Sequence, residues 1–89
     1  MTFPLTPRER ELARHALGLD GSSKITTRNY AFVSEDTDEL WIWVNMTCRL
    51  FAIRKRQVGG WSIRLTRAGA LAALEPGETL NSEDFQDER

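Results

Sequence analysis

The sequence predicts an α+β fold, two to three helices with a two-stranded antiparallel hairpin, in a chain of 89 residues. Three observations carry that expectation. A capped amphipathic segment opens the chain, two β-rich runs flank Val58-Gly59-Gly60, and an alanine-rich segment runs from Thr66 to Leu74. A chain this short holds one hydrophobic core, near the lower end of what is stable unaided. Residues 1–75 are expected to form that domain, and residues 76–89 an acidic, flexible tail.

The first helix is expected over about residues 7–18. Thr6 suits the cap, Pro7 the first helical position, and Glu9, three residues after Thr6, completes a capping box. Leu12, Ala13, Ala16 and Leu17 recur at helical spacing, and Gly18 with Asp20-Gly21 stops the run. Residues 25–33 are rich in β-branched and aromatic side chains and suit either a short strand or an irregular packed segment. The run Leu40 to Cys48 is apolar enough for a buried strand. Four acids (Glu35, Asp36, Asp38, Glu39) precede it and Arg49 follows it, which complements a helix dipole. A helix is therefore expected there, capped by Asp36 or Thr37. Either Trp41, Val44 and Cys48 or Leu40, Trp43 and Thr47 would face the core.

Residues 50–57 and 61–66 are expected to pair across a glycine-containing loop of about three residues. Alternation then puts Phe51 and Ile53 with Trp61, Ile63 and Leu65, and puts Arg54 and Arg56 with Ser62 and Arg64. Such a hairpin is apolar beneath and cationic above, with Lys55 on the apolar parity near the tip. Thr66 caps a last short helix, which Pro76-Gly77 ends. Leu71 and Leu74 are expected to close the core, and Leu80 and Phe85 to dock only transiently.

Helix, loop, helix, hairpin and short closing helix is the order of a winged helix. Over about residues 50–74 the chain resembles the wing of bacterial winged-helix regulators: a basic strand, a Gly-Gly tip, then Leu65-Thr66 with Gly69 three positions after the threonine. The wider chain resembles small proteins encoded by bacteriophages and prophages, which share an opening like Leu5-Thr6-Pro7, an Arg28-Asn29-Tyr30 segment and the same wing ending. The resemblance implies a reduced winged helix. Two features depart from a DNA-reading winged helix. Only about 18 residues separate the first helix from the next helical run, and they read poorly as a helix. The start of the second helix is acidic, where a recognition helix presents bases and amides. If DNA is bound, the wing is the expected surface.

Composition narrows the function classes. Apolar residues make up 40% and charged residues 28%, values of a globular domain. No apolar run approaches the roughly 18–20 residues that cross a bilayer. Residues 1–5 lack the basic and apolar parts of a secretory leader, and Cys48, a lone cysteine, cannot form an internal disulfide, so a cytoplasmic protein is expected. The net charge of −1 hides an asymmetry. From Glu75 onward there are six acids and one base, and between Leu40 and Leu74 six bases (Arg49, Arg54, Lys55, Arg56, Arg64, Arg67) and no acid. A patch of that kind suits a polyanion.

The residues for catalysis are sparse. His15, the only histidine, lies off the apolar stripe, and Cys48 has no second metal ligand nearby and is expected to be a small core residue. Gly59-Gly60 lacks the lysine and helix of a phosphate-cradling loop. Neither an enzyme nor a cofactor or metal is expected. Two partners are considered. Nucleic acid would be held by Arg54, Lys55, Arg56, Arg64 and Arg67, with salt-sensitive affinity. Another protein, or a second copy, would use Trp41 or Trp43, because both cannot readily face one small core. The acidic tail could also fold over the basic body and screen the hairpin.

Overall fold

Thr6 and Glu9 start the first helix as their spacing requires. The Thr6 hydroxyl accepts from the Glu9 N–H at 3.1 Å, and the Glu9 carboxylate accepts from the Thr6 N–H at 2.9 Å. In the computed structural model, which describes residues 5–19, 21, 23–81 and 85, this helix, α1, runs Pro7–Leu17. Gly18 ends it at φ +76°, and a Cβ there would lie 2.0 Å from the Thr27 hydroxyl oxygen, so both conformation and space select glycine.

The described residues continue with β1 (Ala31–Ser34), α2 (Glu39–Cys48), β2 (Ala52–Gln57), β3 (Gly60–Leu65) and α3 (Arg67–Ala73). The strands form one antiparallel sheet in the order β1-β3-β2. This α+β arrangement is compatible with a reduced winged helix, with a third strand added to the hairpin. Residues 26–30 are irregular and laced to the end of α1: the Thr27 N–H donates to the Leu17 carbonyl and the Tyr30 N–H to the Ala16 carbonyl. Asn29 then extends the β1–β3 pairing with its side chain. Its Nδ2 donates to the Leu65 carbonyl at 3.0 Å, and its Oδ1 accepts from the Leu65 N–H at 2.8 Å.

The run after the acidic cluster is a helix, as the charge pattern predicts. Leu40, Trp43 and Met46 are buried and Thr47 is half-buried, whereas Trp41 and Cys48 face water. Cys48 is therefore not the core residue expected, because so apolar a helix exceeds what one face can bury. Neither Asp36 nor Thr37 caps it. Asp38 occupies the cap position without a side-chain hydrogen bond, and the Thr37 hydroxyl donates to the Ser34 carbonyl instead. Arg49 pairs with the buried Glu9, tying the end of α2 to the first turn of α1. Burial pushes the Glu9 carboxyl up, but the Arg49 hydrogen bond and charge, with the Thr6 contacts, hold it below its ordinary range.

The hairpin forms where expected, but its loop is Val58-Gly59, and Gly60 already pairs with Gln57. Shortening an expected three-residue loop by one slips the register by one, which moves every side chain of one strand to the other face. Ala52, Arg54 and Arg56 thus share a face with Leu65, Ile63 and Trp61, while Ile53, Lys55 and Gln57 share the other with Arg64, Ser62 and Gly60. The expected ribbon, apolar beneath and uniformly cationic above, is overturned. Arg54 and Arg56 lie on one side, and Lys55 and Arg64 on the other.

The helices cover the sheet face that carries Val33, Ala52, Ile63 and Leu65. Ala13, Ala16 and Leu17 of α1, Leu40, Trp43 and Met46 of α2, and Ala70 and Ala73 of α3 complete the core with Leu5, Leu19 and Phe85. The inward face of α3 is made of Gly69, Ala70 and Ala73, not the expected leucines: Leu71 is exposed and Leu74 half-buried. Small residues let α3 approach closely, which leaves a leucine no room to point inward.

The folded body also extends past the expected boundary at residue 75. The Thr79 N–H donates to the Lys24 carbonyl, the Thr26 N–H to the Thr79 carbonyl, and Phe85 is buried. Of the expected flexible tail, Glu78, Leu80 and Asn81 are half-buried, Thr79 is tied by backbone hydrogen bonds and Phe85 is buried, and 82–84 and 86–89 lie outside the described residues.

Candidate functional site

The sheet face turned away from the helices is the surface on which Lys55 and Arg64 meet exposed aromatics. Residues opposed in an antiparallel ladder share a face, so the register fixes what this surface carries. Phe32, Ser62 and Lys55 form one row across it. Ile53 and Arg64 stand in the next, with Tyr30 beyond the start of β1. Tyr30 is 53% exposed and Phe32 46%. A groove of about 390 Å³ runs here, lined by Tyr30, Ile53, Arg54, Lys55, Gln57, Ser62 and Arg64. Its lining has the bases Lys55 and Arg64 of this face and Arg54 of the opposite face, with a phenol, an amide and a hydroxyl and no carboxylate. Such a lining suits a ligand that is anionic, rich in hydrogen-bond acceptors and partly apolar.

The five cations nominated from the sequence do not form one patch. Arg54 and Arg56 both lie over Trp61, 4.7 and 5.3 Å from the ring centroid, and Arg56 also pairs with Glu35 at 2.8 Å. Trp61 is half-buried, and stacking on it, worth about 0.5–1 kcal/mol, holds a guanidinium in place without neutralising it, whereas the Glu35 contact offsets the Arg56 charge. Arg67 opens α3 at the opposite end of β3 from the turn, with its guanidinium over Phe85. Lys55 and Arg64 are the bases that the strand register places on the outer face. Of the tryptophans nominated for an interface, Trp43 is 2% exposed and belongs to the core, while Trp41 is 71% exposed. Of the two, only Trp41 exposes its indole.

No protein-family model, curated protein or solved structure matches this chain.

A second cleft, of about 420 Å³, lies between α1, β1 and α2 and holds His15 beside Arg8, Glu11 and Glu39. Arg8 is committed to both carboxylates, so the charges there are largely answered within the fold. Among the described residues no group of His, Cys, Asp and Glu could hold a metal ion, and no helix is long and apolar enough to cross a membrane.

Sequence reasoning missed Tyr30 and Gln57 as residues of the groove and Phe32 as an exposed residue of the same sheet face. Their alternation with Ala31 and Val33, and of Gln57 with Arg56, was visible. Only the pairing of β1 with β3 shows which parity faces outward.

Proposed function

We propose that this chain is a small non-enzymatic, winged-helix-like protein of phage or bacterial type that binds nucleic acid through its hairpin. The observation that carries this is the outer groove, in which Lys55 and Arg64 stand with Tyr30 and Gln57 and no carboxylate joins the lining. The helix preceding the hairpin is a poor reader of a major groove. It begins at Glu39 behind Glu35, Asp36 and Asp38, and its exposed side carries Trp41, Asn45 and Cys48 with no base. Phosphates would be repelled at that end and attracted at the groove. An exposed thiol without a partner cysteine in the chain suits a reducing cytoplasm.

The test is fluorescence anisotropy with mixed-sequence DNA over a salt series. Binding is expected to weaken steeply with salt, by about 0.7–0.9 log units per log unit of salt for each phosphate contacted. The double substitution Lys55→Ala, Arg64→Ala should reduce both the affinity and that slope, while Arg67→Ala, remote from the groove, should change them little. No binding at low salt would reject the proposal.

The exposed indole of Trp41 favours a second possibility, a protein-interaction module or homo-oligomer that uses α2. Sedimentation at high concentration separates the two. A Trp41→Ala change that dissolves an oligomer supports the second, and a monomer with or without that change counts against self-association.

A further inference from the structure

We propose that the outer sheet face takes unpaired nucleotides: a single strand of DNA or RNA lying across β1-β3-β2, with bases on Tyr30 and Phe32 and phosphates near Lys55 and Arg64. The proposal rests on the nucleic-acid binding proposed above and names the strand state that the face selects.

The geometry of the face leads to this choice. Its central strand is low over Gly60, which has no side chain, and Ser62, which has a small one, so that part of the sheet forms a floor between the aromatics of β1 and the long side chains of β2, with Arg64 rising at its far end. Two strand spacings make that floor about 10 Å across. Gly60 is obligatory. A Cβ there would stand 2.2 Å from the Val33 carbonyl oxygen and 2.8 Å from Phe32 Cζ, so the Phe32 ring rests against naked backbone. A ring supported from beneath, with nearly half its surface in water, is a prepared stacking platform. Tyr30 repeats it two residues earlier, on the same face as the chain enters β1.

The cations complete the match. Ser62 lies between Phe32 and Lys55, and Arg64 lines the groove with Tyr30, so each aromatic has a base within one or two strands of it. Stacking needs the open face of a base, which a duplex hides between neighbouring pairs and a single strand offers. A duplex asks instead for a row of cations on one side of a ribbon. This hairpin does not provide it, because Arg54 and Arg56 project on the opposite side from Lys55 and Arg64. An acidic peptide could satisfy the charges but would leave the two rings without planar partners.

The experiment compares fluorescein-labelled oligothymidine and oligouridine of about 12 nucleotides with a duplex of equal length, and adds polyglutamate as competitor. The single strands are expected to bind about tenfold or more tightly than the duplex, and polyglutamate at equal charge to compete poorly. Tyr30→Leu and Phe32→Leu keep apolar bulk but remove the planar face. Each should weaken single-strand binding about tenfold while leaving duplex binding unchanged. Thermal melting checks that both variants fold, and Tyr30→Phe, which keeps the ring, should retain wild-type affinity. Equal or tighter duplex binding would overturn the single-strand proposal while leaving nucleic-acid binding intact. Full affinity in the folded leucine variants, loss of affinity in Tyr30→Phe, or efficient competition by polyglutamate would also overturn it. Absence of binding to either form would remove the nucleic-acid function itself.

Discussion

Gly69 has no room for a methyl group: a Cβ would sit 1.9 Å from the Phe51 carbonyl oxygen. Three residues earlier, the Thr66 hydroxyl donates to the Leu50 carbonyl and accepts from the Gly69 N–H. The spacing of leucine, threonine and glycine that resembles a wing ending therefore has a local cause, the docking of a capped helix start onto the chain entering β2. A second residue acts through charge. Arg14 donates from both Nη1 and Nη2 to Glu78, which is 3% exposed at its side chain. Those bonds outweigh the cost of burial and, with the Glu75 N–H, hold the Glu78 carboxyl down from 4.5 to about 2. Because the folded value lies below the unfolded one, this contribution to stability is complete above about pH 4.5 and disappears as the pH falls through about 2. Glu78→Gln should lower stability at neutral pH by roughly 1–3 kcal/mol and flatten the acid limb of the melting curve. Denaturation followed by circular dichroism at several pH values measures both.

At the scale of elements, α2 decides most about the surface. Its two tryptophans are two positions apart, so a helix sends them to different sides, and the core takes Trp43. Trp43→Ala should cost about 3–5 kcal/mol and Trp41→Ala less than about 0.5 kcal/mol in the monomer. Chemical denaturation of both variants tests this, and comparable losses would mean that Trp41 is sheltered by a partner. The hairpin gives a contrasting case. Its existence and its two flanking runs were legible from residue types, but one residue of loop length separated the expected register from the real one. Val58-Gly59-Gly60 allowed either length. The choice falls on the shorter because Gly60 is needed where β1 crosses β3, beside the Val33 carbonyl.

For the whole molecule, the described acids after α3 are paired within the fold, while Glu83, Asp84, Asp87 and Glu88, on which a screen over the hairpin would depend, lie outside the described residues. Glu75 pairs with Arg10 and Glu78 with Arg14, both on α1, and Thr79 bonds the chain at Lys24 and Thr26. Removal of residues 75–89 should therefore lower Tm by more than about 10 °C, since it takes the buried Phe85 and the Arg14 ion pair with it. A truncated chain that melts at the wild-type temperature would show that these contacts are dispensable. The acids Glu75 and Glu78 find their partners on the first helix and not on the hairpin.

Taken by itself, the order of residues determined what short-range physics can settle. A capping box starts α1, acids followed by an arginine make α2 a helix, a glycine-bearing break separates β2 from β3, and Thr66 with Gly69 starts α3. Contacts between distant residues decided the rest: that β1 joins β3, that Arg54 and Arg56 stack on Trp61 away from Lys55 and Arg64, and that Phe85 returns to the core. A cap or a helix stripe is satisfied within a few residues of itself. The face of a strand depends on where its partner lies, and a one-residue shift in pairing reverses it.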